Sequence, residues 1–394
     1  GNYNTVVGDE AGTAITTGNS NVALGYQAGA SLTGGNSNVA IGYQALLTED
    51  SYGANIAIGD SALKLQDSGA TAYNIAIGHE AGAAVTTGAH NTLIGGLAGT
   101  AITTGAGNVA VGASSLTANT TASNNTAVGL SALHSNTTAA DNVAMGYKTL
   151  YLNTTGAENT ALGSFAMNLN TTGSNNVAVG RLALRVNTTA ANNTAVGYAA
   201  LTANTTGTLN TAVGTSALES NTTTHNNTAM GYRALRVSTG SANTSVGTGS
   251  LESNTTASNN TAVGTSALTA NTTGNNNTAV GFEALDVATT GYNNVGLGAL
   301  SAGATTSGHS NVSIGRNSGY TTTTGYRNIS IGTSTRPTSA GDNNVIAIGY
   351  NISGGAGYTT LGNGTADIRA AHGVATWATV SDQRYKKDIV DSTA

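Results

Sequence analysis

Along most of this chain two apolar residues stand two apart, with a small residue between them and a glycine directly after: Val22-Ala23-Leu24-Gly25, Val39-Ala40-Ile41-Gly42, Thr126-Ala127-Val128-Gly129. The first of the pair is Val, Ile or Thr, and the second is aliphatic. The unit returns with glycines at 8, 25, 42, 59, 78, 95, 112, 129, 146, 163, 180, 197, 214, 231, 247, 264, 281, 298, 315, 332 and 349. Eighteen of the 20 intervals are 17 residues; Gly59 to Gly78 is 19 and Gly231 to Gly247 is 16. A period this short predicts stacked coils, each touching only its neighbours, rather than a globule around one deep core.

Side chains alternate along a strand, so the two apolar residues share one face and the small residue points the other way. The β-branched residues suit a strand. The small residues (Ala23, Ala40, Ala127, Ser245, Gly296) predict that this second face lies close to another backbone. Asn stands four residues before the glycine in 20 of the 21 coils, with Val345 the exception. Asn125 with Gly129, Asn142 with Gly146 and Asn193 with Gly197 are representative structural pairs. Identical Asn side chains stacked one per coil predict an amide ladder, and the glycine a positive φ or a close backbone approach. After the glycine comes a second apolar step, such as Ala132-Leu133 or Ala183-Leu184, and then a polar turn, most often Asn-Thr-Thr. The predicted coil is strand, bend, short strand, turn.

Each coil offers only three or four aliphatic side chains, a thin core set against an ordering entropy of about 1 to 2 kcal/mol per residue. Further burial is therefore expected from identical chains, with the alanine face against the partners. The fold class this implies is all-β: a parallel β-solenoid of about 21 coils, assembled as a homotrimer. At about 4.8 Å per coil it would be a rod of roughly 100 Å.

Composition narrows the function. Of 394 residues, 8% are charged and 5% aromatic, and the net charge is −5. No basic footprint for nucleic acid exists. The chain has no Cys, so disulfides and thiolate metal sites are excluded. No apolar run approaches the roughly 20 residues of a membrane-inserting helix. Histidines at 79, 90, 134, 225, 309 and 372 show no metal-ligand spacing; His79 and His90, 11 apart, are expected at the surface, with an approach across a coil boundary as the sharper alternative. Calcium-type nonapeptides and recurring carboxylate pairs are missing, so neither a metal, a cofactor nor a glycosidase site is expected. Asn-Thr-Thr at Asn119, Asn136, Asn153, Asn170, Asn187, Asn204, Asn221, Asn254 and Asn271 reads as a turn rather than as a glycosylation signal. Tyr26, Tyr43, Tyr147, Tyr198, Tyr232 and Tyr350 each follow a repeat glycine and are expected to be exposed or half-buried strand residues; a sugar-binding strip is the sharper alternative.

The pattern divides the chain into a repeat shaft at 1–349, a β-rich transition at 350–380 and a charged segment at 381–394 that opens another domain. The start, GNYNTVVG, falls directly within a repeat and suggests that more chain lies upstream.

Two resemblances extend this reading. Coils such as NSNVALGYQAGA and NSNVAIGYQALL resemble the head repeats of trimeric autotransporter adhesins, whose period is slightly shorter. That resemblance implies a left-handed homotrimeric β-roll. The segment TLGNGTADIRA followed by SDQRYKKDI resembles the junction where bacteriophage tail fibres and tailspikes meet an endosialidase-type intramolecular chaperone. The motif is matched at Ser381, Asp382, Arg384, Lys386 and Ile389. The resemblance implies a self-cleavage between Val380 and Ser381, with Ser381 as nucleophile and Lys386 as base, once the whole chaperone is present. The expected function is a structural tail fibre of a virion, outside the cell. It would join two identical chains, present a surface to a glycan or protein receptor of the host, and have no enzymatic activity beyond that junction. The alternative is a trimeric adhesin fibre on a bacterial surface.

Overall fold

The structure is a computed structural model of the chain and describes residues 1–365, 367–374 and 378–379, the last two by their backbone alone. The described residues contain no helix. They form a parallel β-solenoid of about 21 turns with a repeat of about 17 residues, divided into a unit Gly1–Asn210 and a second unit beginning at Thr211. In the first unit, three-residue strands from Thr5–Val7 to Thr194–Val196 stack in parallel and in register: Val22 pairs with Val39, Ala23 with Ala40 and Leu24 with Ile41. In the second, strands from Thr211–Val213 to Ile346–Gly349 do the same. There Tyr358–Gly362 continues the parallel stack and then pairs antiparallel with Ile368–Ala371.

The two strand faces are disposed against expectation. The small residue points into its own coil: Ala23, Ala40 and Ala127 are fully buried. The residues on either side of it face outward and are half-buried or exposed. The alanine face is thus covered from within and is not the face left for partner chains. At Gly296 an added Cβ would lie 3.2 Å from Leu285 of the preceding coil, so the strand centre sits on the previous coil's leucine with room for little beyond a methyl.

The repeat glycine meets both conditions read from the sequence. Gly129 has φ 133° and Gly146 φ 136°, conformations closed to L side chains. A Cβ on Gly129 would stand 2.5 Å from the carbonyl oxygen of Gly146, so the coils approach there with no space for one.

The second short strand does not form. Ser131 and Leu133 both have left-handed backbone, with φ 56° and 49°, and left-handed residues two apart break strand geometry. The Ala-Leu step is a turn that drives Leu133 fully into the coil. Coil-to-coil bonding continues through it, since the Leu133 N–H donates to the Thr149 carbonyl at 3.0 Å.

Within that turn the chain uses one apolar volume in two ways. Most coils with leucine four residues after the glycine carry Asn three residues further on, as in Leu116 with Asn119 and Leu133 with Asn136, and the others carry Glu49, Gln66, Ser238 or Ala288 there. Four of the coils with glycine at the first position carry an aliphatic residue at the second: Gly12 with Ile15, Gly29 with Leu32, Gly82 with Val85, Gly99 with Ile102; Gly319 is followed by Thr322. A Cβ on Gly29 would come within 2.7 Å of Leu32 Cδ1, and one on Gly99 within 2.8 Å of Ile102 Cδ1. The two positions therefore share one space. Leu93, a bulky residue at a strand centre, fits between coils whose turns carry Gly82 and Gly99; a Cβ on either would meet it at under 3 Å.

This arrangement predicts a coupling. Gly29→Leu alone overpacks and costs about 1–3 kcal/mol. Leu32→Asn alone empties the site and costs about 2–4 kcal/mol. The double variant should recover most of both losses in urea unfolding, a coupling of about 1–3 kcal/mol. Simple additivity would contradict the shared volume.

Candidate functional site

The interior of each unit is polar along two columns. In the first, the Asn four residues before the glycine is buried from Asn21 to Asn328, and its side-chain oxygen accepts from the backbone N–H of the residue at the same position in the next coil. Asn125 N–H donates to Asn108 Oδ1 at 3.0 Å, Asn142 N–H to Asn125 Oδ1 at 3.0 Å, and Asn193 N–H to Asn176 Oδ1 at 2.9 Å. The amide nitrogen donates to a carbonyl 14 residues on: Asn125 Nδ2 to Ala139 O at 3.0 Å and Asn193 Nδ2 to Gly207 O at 2.8 Å. The ladder predicted between amides is thus mainly a ladder between amide and backbone. Direct side-chain contacts are longer, such as Asn142 Nδ2 to Asn125 Oδ1 at 3.3 Å. The ladder bridges both irregular coils, Asn74 N–H to Asn55 Oδ1 and Asn243 N–H to Asn227 Oδ1 each at 3.0 Å. The length differences are absorbed in the polar turn instead. At Val345 the backbone N–H keeps the arrangement by donating to Asn328 Oδ1 at 3.0 Å, and the side chain joins Ala347 and Ile352 in an apolar cluster.

The second column is the Asn of Asn-Thr-Thr. Asn119, Asn136, Asn153, Asn170 and Asn187 are fully buried. Asn153 Nδ2 donates to Asn136 Oδ1 at 2.9 Å, and Asn170 Nδ2 to Asn153 Oδ1 at 2.7 Å. Sequence reasoning placed these residues in turns and missed that they point inward. The signal was present, since they occupy the position of Ile15 and Leu32 in other coils.

The exterior carries the apolar character. Along the first unit Val7, Leu24, Met145 and Leu162 are exposed, and along the second Met230, Val280 and Ile348. The next residue but one extends this face: Tyr26, Tyr43, Tyr147, Tyr198, Tyr232 and Tyr350 are all exposed, just beyond the strand. Tyr26 and Tyr43 stack at 5.4 Å. In the second unit Tyr292, His309 and Tyr326 form a separate, near-parallel stack with centroids 4.6 and 5.1 Å apart.

Other chemistry-bearing residues stand as follows. His90 stacks on Tyr73 at 5.6 Å, and His79 lies 4.0 Å from Glu80. Val380, Ser381 and Lys386 lie outside the described residues. Among the described residues one group of three carboxylates comes together, Glu49, Asp50 and Asp67, with oxygens within 4.8 Å of one another. Asp50 and Asp67 are exposed, but Glu49 is fully buried in the second interior column, where most coils have Asn.

Glu49 lies in the coil that precedes the 19-residue one; Asn55 Nδ2 donates to Glu49 Oε2 at 3.5 Å, and the Tyr52 N–H donates to Glu49 Oε1 at 3.2 Å. Burial, reinforced by Asp67 and Asp50, pushes the Glu49 carboxyl up to about 7. The folded chain therefore holds this proton over a range in which the unfolded chain has lost it. Stability is fullest below about 4.5 and falls as pH rises towards 7, by an amount on the order of 1–3 kcal/mol. Glu49→Gln keeps the acceptor oxygen and removes the titration. It should unfold at higher urea than the parent at pH 8, and the interval between pH 4.5 and 7 should lose most of its slope. An unchanged slope would place the titration elsewhere.

No protein-family model, curated protein or solved structure matches this chain.

Proposed function

We propose that this chain is a structural segment of an extracellular fibre, a bacteriophage tail fibre that assembles as a homotrimer and presents a receptor-binding surface to a host cell. The observation that carries this reading is the inverted coil. Asparagine, alanine and leucine fill the interior, and within each unit the aliphatic strand residues that flank the small central residue face outward in columns. Monomeric proteins rarely leave contiguous apolar patches beyond a few hundred Å2 exposed. Two identical chains laid against this face would supply the burial that the thin interior lacks. Parallel pairing across identical chains with a short period invites slips of register. An intramolecular chaperone beginning at Ser381 would set the register and then leave, cutting between Val380 and Ser381, which supports the phage reading over a membrane-anchored adhesin. The resemblance of the coils to adhesin heads keeps the adhesin fibre as the second reading.

Native mass spectrometry of the chain with its natural downstream sequence tests this. A trimer whose chains end at Val380 is the expected result. Leu24→Glu with Leu162→Glu places charge on the outward columns of the first unit and should shift most of the protein to monomer at micromolar concentration, with the strand signal in circular dichroism retained. A parent chain that is monomeric and uncleaved would overturn the reading.

A further inference from the structure

From Gly146 to Gly197 the first unit carries a surface unlike the rest of its exterior. Lys148, Arg181 and Arg185 are the only Lys and Arg between 142 and 210, and Glu158 is the only carboxylate there, at a different place in its repeat. No carboxylate lies within 4.0 Å of these three cations among the described residues. The contrast is with Arg233 and Arg236, which approach Glu252 at 3.8 and 3.0 Å. Lys148 shows its charge on a neighbour: the His134 imidazole is held below its usual range, by burial first and by Lys148 second.

Aromatic rings frame these cations. Tyr147 meets the Phe165 ring edge-on, with centroids 5.1 Å apart at 86°. Lys148 Nζ lies 5.5 Å from the Tyr147 ring centre, and the Arg181 guanidinium 5.8 Å from that of Tyr198. A cleft of about 240 Å3 opens between Phe165, Arg181, Leu182 and Arg185. Both arginines are exposed, and Phe165 and Leu182 are half-buried.

We infer that this cleft binds a carboxylate-bearing sugar residue of an acidic polysaccharide, with the Arg181 and Arg185 guanidinium groups on the carboxylate and Phe165 against the apolar C–H face of the ring. Guanidinium is planar and pairs with carboxylate through two parallel hydrogen bonds, and it is less strongly hydrated than ammonium, so it holds such an anion at an open surface. An aromatic ring presents a rigid apolar face that a hydrated phosphate ion does not use and a sugar ring does. The cleft is smaller than the roughly 300–1,000 Å3 of sites for drug-sized ligands, which suits one sugar of a longer chain. Three cations in a chain of net charge −5 are too few for a nucleic-acid footprint. The inference gives chemical content to the receptor-binding part of the proposed function, while its residues all belong to one chain and need no trimer.

Isothermal titration calorimetry of the full chain with trigalacturonate and with disialic acid tests the site, with maltotriose and inorganic phosphate as controls. At least one acidic saccharide should bind, with maltotriose silent. Arg185→Gln and Phe165→Leu should each weaken that binding at least tenfold without moving the thermal unfolding midpoint. Failure of both acidic saccharides to bind overturns the inference, as does binding that survives Arg185→Gln, or phosphate binding as tightly as the saccharide. The assembly state of the same sample separates the two proposals. A monomer that binds overturns the trimer and leaves the cleft; a trimer that does not bind overturns the cleft alone.

Discussion

Each repeat glycine lies so near the carbonyl of the next that no Cβ fits between them, and the remainder of the coil follows from that approach. At Gly25, Gly42 and Gly129 an added Cβ would stand 2.4–2.6 Å from the carbonyl oxygen of the following repeat glycine. The bend they make, with φ between 132° and 133°, returns the chain on itself after only three strand residues. A coil this tight has room inside for alanine, one leucine and the flat amide of asparagine. Larger apolar strand residues face outward, except where the flanking turns give up side chains, as Gly82 and Gly99 do for Leu93.

The interior is consequently held by hydrogen bonds more than by apolar area. A buried amide without partners costs about 1–3 kcal/mol, so a column of buried asparagines is stable only when every coil repeats the same geometry. That demand explains why irregular coils change length in the polar turn and leave the column intact. Next to the 19-residue coil it is the Glu49 carboxyl that accepts the Asn55 amide. The outward aliphatic columns are the other consequence, and the proposed self-association rests on them.

The period, the strand positions, the glycine geometry and the Asn column were all legible in the sequence, because each depends on residue type at a fixed spacing. The sense of the strand was not. Alternation defines two faces, but with alanine on one and valine on the other both are apolar, and the usual rule that the larger apolar side chain lies inside gives the wrong answer in so narrow a coil. The Ala-Leu step misled for a related reason: Leu133 has the residue type of a strand and the backbone of a turn. The inward course of Asn119 and Asn136 was hidden by the turn-like character of Asn-Thr-Thr, and only the exchange of Gly29 and Leu32 for Leu133 and Asn136 reveals it. The cleft at Phe165, Arg181 and Arg185 joins residues from successive coils at different repeat positions, so no single motif announces it.

Contact between repeat glycines governs the coil, and Gly129→Ala puts a Cβ into that contact. Strain at that φ and the overlap with the Gly146 carbonyl predict a loss of about 2–5 kcal/mol in urea unfolding. Hydrogen-exchange protection should fall in the coils on either side, while Thr121→Ala in the exposed turn should stay within about 0.5 kcal/mol of the parent. A Gly129→Ala chain as stable and as well protected as the parent would contradict the account.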